Sequence, residues 1–311
     1  MDAKLARAKK RKDTIKLMKR NVALYVFLIP ALAYIIILNY FPMYGVQIAF
    51  RNYNFADGIT GSPWAGLKWF EYFFTSRLFG SLVNNTLILS LYSLVASFPA
   101  PILLALIIHN ISGTRMKRIS QTVTYLPHFI STVVLVGMMS SFFSTNSGFV
   151  NTLVQMLGGS PKPFMGDPKY FRHMYVWSNV WQSVGWDSII YMAALTSISP
   201  ELHEAAMIDG AGRLRRIWHV DLPGISSTIV ILLILRAGSI MTVGFEKAYL
   251  MQNPMNNTVS EIISTYTYKM GVLKAKYSYS SAIGLFNNVI NVIFLTLVNS
   301  ISKKLSETSL W

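Results

Sequence analysis

The chain has no cysteine. That excludes a disulfide framework, a thiolate metal site and a cysteine nucleophile, and it leaves the redox compartment open. Acidic residues are scarce as well, 13 Asp and Glu against 28 Lys and Arg, and charged residues of both signs make up only 13% of the chain. So little charge beside 52% hydrophobic residues and a mean hydropathy of +0.41 excludes an ordinary soluble domain of 311 residues. A Gly-x-Ser-x-Gly nucleophile elbow and a GxxxxGK phosphate loop are both missing, so any ATP hydrolysis linked to this protein belongs to another polypeptide. His203-Glu204-Ala205-Ala206-Met207 falls one residue short of an HExxH zinc helix. Met207 stands where the second histidine would be, and no metal site is expected from that helix. No tandem repeat or low-complexity linker divides the sequence, which reads as one domain.

What is present is a series of apolar runs, at about 22–45, 82–108, 123–143, 174–198, 226–250 and 281–301. Each exceeds the roughly 20 residues that cross about 30 Å of hydrocarbon as a helix. The pattern predicts an all-α polytopic membrane protein with six transmembrane helices and both termini on one side. A basic N-terminal tail (1–21) precedes a single transmembrane domain (22–301, core spans 82–301), and a short tail (302–311) follows. The first run is longer than a signal-peptide core and lacks a small-residue cleavage site, which predicts a retained span.

Charge orients the spans. Lys and Arg number nine in residues 1–20; Arg115, Lys117 and Arg118 follow the second run; Arg213, Arg215 and Arg216 follow the fourth; Lys303 and Lys304 follow the sixth. The opposite loops hold nine over much longer sequence, and only Arg236 and Lys247 fall within a run. The excess predicts that these segments and both termini are cytoplasmic. A basic tail beside apolar spans is better explained by anionic lipid headgroups than by nucleic acid, so no nucleic-acid partner is expected. The opposite loops, rich in turn formers and aromatics such as Asn54-Phe55-Ala56-Asp57-Gly58 and Gly61-Ser62-Pro63-Trp64, are expected to be ordered.

Residues 199–224 form a mostly polar island between two runs. Ser199 suits an N-cap, Pro200 the first helical position, and Glu201 and Glu204 the positive end of the macrodipole. Leu202, Ala205 and Ala206 share a face of low profile, and Gly210 can take the left-handed conformation that ends a helix. A second amphipathic stretch, 214–220, is broken by Leu222-Pro223-Gly224. Polar groups inside the fourth run, Asn179, Gln182, Ser183 and Asp187, are interleaved with Trp177, Trp181 and Trp186. Flat aromatic faces with amides suit a sugar; interhelical hydrogen bonding with an interfacial tryptophan belt suits the same residues equally. Asp187 and Arg236 fall at similar depth on neighbouring antiparallel spans, roughly 15 Å from the cytoplasmic end, which allows an ion pair between them and leaves open whether one forms. Asn84, Asn85, Asn287, Asn288 and Asn291 are assigned to helix packing.

Glu204-Ala205-Ala206, then Gly210, then Val220-Asp221-Leu222-Pro223 resembles the EAA loop of ATP-binding-cassette importer permeases, with Val220 where that family usually has Ile. The segment Gly148-Phe149-Val150-Asn151-Thr152-Leu153 with Gly158 resembles one common in carbohydrate-importing members, and residues 40–50 resemble the branch associated with polysaccharide-derived oligosaccharides. The resemblance implies a type I importer permease fold with a cytoplasmic coupling helix. Glu204, Ala205, Ala206, Gly210, Leu222 and Pro223 would then engage an ATPase. It also implies a second homologous permease in a heterodimer, an ATPase dimer carrying ATP and Mg, an extracellular solute-binding protein, an oligosaccharide substrate and a place in the bacterial plasma (inner) membrane. In maltose-importer relatives the substrate lies against the spans flanking this loop, which implies Asn179, Gln182, Trp186 and, in the fifth run, Glu246 as substrate-binding residues. No cofactor is implied in this chain. A secondary transporter or channel for a small polar solute is the alternative, but it gives no reason for a Gly-broken helix at this spacing.

Overall fold

The computed structural model describes residues 16–306, so most of the basic N-terminal tail and residues 307–311 of the C-terminal tail lie outside the described residues. Those described are mostly helical. Among them there is no β-strand, only an isolated bridge between Arg51 and Trp64. They fall into two compact units that meet in sequence between Lys68 and Trp69.

The first unit is dominated by one long helix, α1 (Val22–Phe50), 29 residues that include an 18-residue stretch of mean hydropathy 2.3. Its large apolar side chains are exposed, Phe27 and Phe41 the most, which is the surface a lipid bilayer covers. The loop that follows is ordered, as its composition predicts. The Arg51 guanidinium donates to the carbonyls of Thr60 and Ser62 at 3.1 and 2.7 Å, and the Asn54 backbone N–H donates to Ser62 Oγ at 3.0 Å. Phe50 stacks on Trp64.

In the second unit α2 (Phe79–Ser97) and α3 (Pro99–His109) run on as one apolar span of 31 residues. The third run is not a single helix. α4 (Thr114–Tyr125) ends in a 3-10 turn at Leu126–Phe129, and α5 (Thr132–Phe142) leaves at 95°. The chain leaves helical backbone at Ile130 and Ser131, which are extended, and Ser131 starts the new helix by accepting the Val134 N–H at 3.3 Å. A short helix α6 (Phe149–Met156) precedes α7 (Pro168–Thr196), whose 29 residues span about 43 Å.

Beyond it come α8 (Pro200–Ile208), α9 (Arg213–Arg216, continued through a π turn to Gly224) and α10 (Ser226–Ala237), with a bend of 60° before α10. The fifth run also breaks. α10 stops at Ala237, residues 238–244 are irregular, and α11 (Phe245–Met251) resumes. Unsatisfied backbone at such a break is costly in lipid, and Asn291 meets the need: its Oδ1 accepts the Met241 N–H at 2.9 Å while its Nδ2 donates to Thr242 Oγ1 at 2.9 Å. Asn291 belongs to α12 (Tyr277–Ser306), a helix of 30 residues.

Among the described residues three helices are long and apolar enough to cross a membrane, or five if each bent pair is one span. The helix α7 has the length but carries Lys169, Arg172 and Asp187.

The α7 helix is the axis of the second unit. Its buried Phe171, Tyr175, Val176 and Val180 pack with Leu89 of α2, Leu135 and Met139 of α5, and Val243 and Ala248 around the break. Lower down, Tyr191, Met192 and Leu195 pack with Ile102, Ala105 and Leu106 of α3 and with Ile225. A third cluster joins Leu82, Met241, Ile263, Tyr279 and Ile283. At Gly185 α7 comes against the backbone of α4: a Cβ there would lie 2.0 Å from the Thr124 carbonyl oxygen, so only hydrogen fits.

Candidate functional site

Two cavities open along one side of α7. The smaller, of about 230 Å³, is lined by Ser90, Ser93 and Ser97 of α2, Tyr175 and Asn179 of α7, and Arg236, Ser239 and Thr242 from the end of α10 and the break. The larger, of about 540 Å³, is lined by Pro101, Trp186, Asp187, Ile190, Tyr191 and Leu232 among others. They share Ser97, Phe98 and Arg236. At their junction Arg236 donates to Asp187 at 2.9 Å, so the ion pair that the matching depths of the two residues allow is formed. Pairing relieves the cost of carrying either charge in a membrane-spanning segment.

The upper cavity is polar because of a spacing not used in reading the sequence. Ser90, Ser93 and Ser97 stand at i, i+3 and i+7, one helical face, and their hydroxyls are buried without a hydrogen-bond partner. A buried unpartnered hydroxyl is costly, and three on one face make this wall of the cavity polar beside the Asn179 amide and the Arg236 guanidinium. The spacing alone would have found them; the apolar residues between them hid the signal.

Of the four residues expected to bind substrate, two line these cavities. Asn179 is in the upper one and Trp186 in the lower, where its ring stacks on His128 with centroids 4.3 Å apart. Gln182 has a different engagement: its Nε2 donates to the Ile130 carbonyl at 2.7 Å, satisfying an acceptor freed where the third run bends. Glu246 is exposed in the first turn of α11 and lines neither cavity, because the break at 238–244 removes it from the helical register of Arg236. Tyr175 was missed as well; its hydroxyl donates to the Gly244 carbonyl at 3.2 Å, tying α7 to the break.

The second feature is the polar loop. Ser199 Oγ accepts the Glu201 N–H at 3.3 Å, Pro200 opens α8, and Gly210 takes φ +75°. The Ala211 N–H then donates to the Ala206 carbonyl at 2.8 Å and the Gly210 N–H to the Met207 carbonyl at 3.1 Å, the paired bonds of a Schellman end. Glu204, Ala205, Gly210 and Pro223 are exposed, while Ala206 and Leu222 are partly covered. Apolar side chains also face outward, Leu202 and Met207 on α8, Leu214 and Trp218 beyond it, and Ile208 at 87% exposure. Apolar side chains this exposed on a polar loop mark a surface that a partner covers. Asp221 is the exception: it is fully buried, with Oδ2 accepting from Asn110 Nδ2 at 3.3 Å, and so anchors the loop to the end of α3.

Comparison with known proteins identifies the family. The chain is 42% identical to protein LplB of Bacillus subtilis (strain 168) over 310 residues, covering 100% of this chain and 98% of that protein. It is 39% identical to the polygalacturonan/rhamnogalacturonan transport system permease protein YteP of the same organism, covering 100% of this chain and 97% of that protein. A crystal structure of a bacterial ABC transporter involved in the import of the acidic polysaccharide alginate superimposes with a TM-score of 0.87 at 38% identity, over 94% of this chain and 99% of that one. A second crystal structure, of the bacterial alginate ABC transporter in complex with an alginate pentasaccharide-bound periplasmic protein, matches with the same score and identity over 95% of this chain. Residues 97–307, which hold most of the cavity lining and all of the polar loop, match the family described as the binding-protein-dependent transport system inner membrane component, and the chain belongs to that family.

Proposed function

We propose that this chain is the permease subunit of an ATP-driven importer that carries an oligosaccharide across the plasma membrane. The observation that carries the reading is the pairing of a polar interhelical cavity with an exposed Gly-terminated helix in one chain of this family. A relative named for polygalacturonan and rhamnogalacturonan transport and a neighbour that imports alginate support a saccharide as the substrate.

In this reading six spans cross the bilayer: α1, α2 with α3, the bent pair α4 and α5, α7, α10 with the break and α11, and α12. Both termini and the loop at 199–224 are cytoplasmic, the orientation favoured by the excess of Lys and Arg. The α8 helix is the coupling helix. Glu204, Ala205, Ala206, Gly210, Leu222 and Pro223 present it to one subunit of an ATPase dimer, which holds ATP and Mg. A second, homologous permease completes the pathway as a heterodimer, and Glu246 belongs to the face that this partner would complete. An extracellular solute-binding protein delivers the sugar.

Closure of the ATPases draws the two coupling helices together. Because Asp221 joins the loop to α3 and Ile225 is buried against α3 and α7, that movement passes to the cavity walls and changes which side of the membrane they face. Asn179 and the serine face of α2 hydrogen-bond sugar hydroxyls, and Trp186 offers an aromatic face to a pyranose ring. Gln182 acts indirectly, by holding the bend at Ile130.

Reconstitution with the cognate permease, ATPase and binding protein tests this. Glu204→Lys or Gly210→Pro leaves membrane insertion intact and uncouples ATP hydrolysis from sugar uptake. Wild-type uptake in both variants, or uptake driven by an ion gradient without ATP, would return the secondary-transporter alternative.

A further inference from the structure

At the base of α8 three potential metal ligands converge from three elements: His109, the last residue of α3; His203 of α8; and Asp221, in the π turn of α9. One ligand atom from each lies within 4.8 Å of the other two. The reading of 203–207 as an incomplete zinc helix considered ligands on one helix alone. The fold supplies the others from elsewhere.

The contact between His203 and Asp221 is too long for a strong hydrogen bond and matches the separation of two ligands on one ion. His203 Nε2 stands 3.4 Å from Asp221 Oδ1, well beyond the roughly 2.7–2.9 Å of a charge-assisted hydrogen bond. For a tetrahedral ion with bonds of about 2.0–2.2 Å, the distance between two ligand atoms is about 3.3–3.6 Å. Two atoms of the cluster, His109 Nδ1 and Asp221 Oδ1, are buried and have no hydrogen-bond partner. Each such atom is costly unless something bonds to it. The other carboxylate oxygen, Oδ2, accepts from Asn110 Nδ2 at 3.3 Å, the kind of outer contact that orients a ligating carboxylate and leaves its second oxygen for the ion. The imidazole rings of His109 and His203 are tilted 36° to one another with centroids 6.3 Å apart, and a nitrogen of each lies within 4.8 Å of the other and of an Asp221 oxygen.

We propose that His109, His203 and Asp221 form a binding site for one divalent transition-metal ion of the zinc class, with two imidazole nitrogens, one carboxylate oxygen and a remaining position for water. Two neutral imidazoles and a carboxylate suit zinc, cobalt or nickel and are a poor set for magnesium or calcium, which take oxygen ligands. A bound ion would join α8 and the α9 turn to the last turn of α3, three elements otherwise linked here by the Asn110–Asp221 hydrogen bond, the Arg213–Ser112 hydrogen bond and apolar contacts. The site does not depend on which ATPase or sugar the protein uses.

The test uses the tag-free full-length chain in detergent, titrated with Co²⁺ and read by visible d–d absorption. The expected result is a band that saturates at about one ion per chain, with the intensity of four- or five-coordinate cobalt, and that Zn²⁺ abolishes. His109→Ala, His203→Ala and Asp221→Asn each weaken Co²⁺ binding by at least ~10-fold, while His219→Ala, whose ring bonds locally to the Arg215 carbonyl, leaves it unchanged. Absence of the band, or equal affinity in all four variants, overturns the proposal. Should a variant fail to fold, histidine footprinting of the wild-type chain with diethyl pyrocarbonate decides instead. Zn²⁺ must protect His109 and His203 and leave His219 reactive; equal modification with and without Zn²⁺ overturns the site.

Discussion

Gly210 separates backbone conformation from packing more cleanly than any other position in the loop. It sits at φ +75°, and a Cβ built there would meet nothing within 4 Å. A side chain therefore adds no clash, and the whole cost of substitution is that of holding an L-residue in the left-handed region, about 1–2 kcal/mol for alanine. Asparagine tolerates that region and should cost less, whereas a β-branched valine should cost more.

The strain is relieved by opening the helix end, so it is read at the amide that the turn protects. The Ala211 N–H is bonded to the Ala206 carbonyl at 2.8 Å. A loss of 1–2 kcal/mol raises its opening equilibrium by roughly 5–30-fold. Hydrogen exchange of the 206–212 segment, followed by mass spectrometry on the chain in nanodiscs, should rank Gly210→Asn below Gly210→Ala and Gly210→Val highest. Sugar uptake per ATP hydrolysed should fall in the same order. Equal exchange in the asparagine and valine variants would refute the conformational argument, and unchanged coupling in valine despite faster exchange would separate the turn from function.

Gly185→Ala should fail for the opposite reason, since its Cβ meets the Thr124 carbonyl at 2.0 Å; a loss of about 1–3 kcal/mol or more, seen as a lowered Tm in detergent, is expected. Asp187→Lys and Arg236→Glu should each impair assembly by leaving an unpaired charge, and the double reversal should restore expression and transport; failure of the double variant would count against the pair. Gln182→Leu leaves the Ile130 carbonyl without its donor and should lower stability by about 1–3 kcal/mol together with transport. Asn179→Leu should reduce transport while leaving Tm within about 0.5 kcal/mol-equivalent of wild type, and a large loss of stability there would reassign Asn179 to packing.

Much of the protein is readable without coordinates because membrane segments obey one-dimensional rules. Apolar length located the long helices, although α4, α7 and α12 begin before the apolar runs do, and capping chemistry placed the start of α8 at Pro200 and its end before Gly210. Equal depth on neighbouring spans allowed Asp187 to pair with Arg236, and the packing of α7 against α10 decided that it does. Hydropathy, however, does not register whether an apolar run stays helical. The breaks after Phe129 and Ala237 are supported by Gln182 and Asn291, distant in sequence, which bond backbone groups that each break frees.

By itself, then, the sequence determined the class of the molecule, its apolar segments, the polar loop and the residues that cap it, since each depends on neighbours within a few positions along the chain. Only the tertiary structure decided which polar side chains do the same work. Asn179 faces a cavity and Gln182, three residues on, closes a backbone gap; Glu246 is left outside; and His203, one residue short of a motif on its own helix, meets His109 and Asp221 across the fold. The reason is physical: a buried polar group must find a partner, and partners in a helical membrane protein come from other helices, whose crossing geometry no local pattern records.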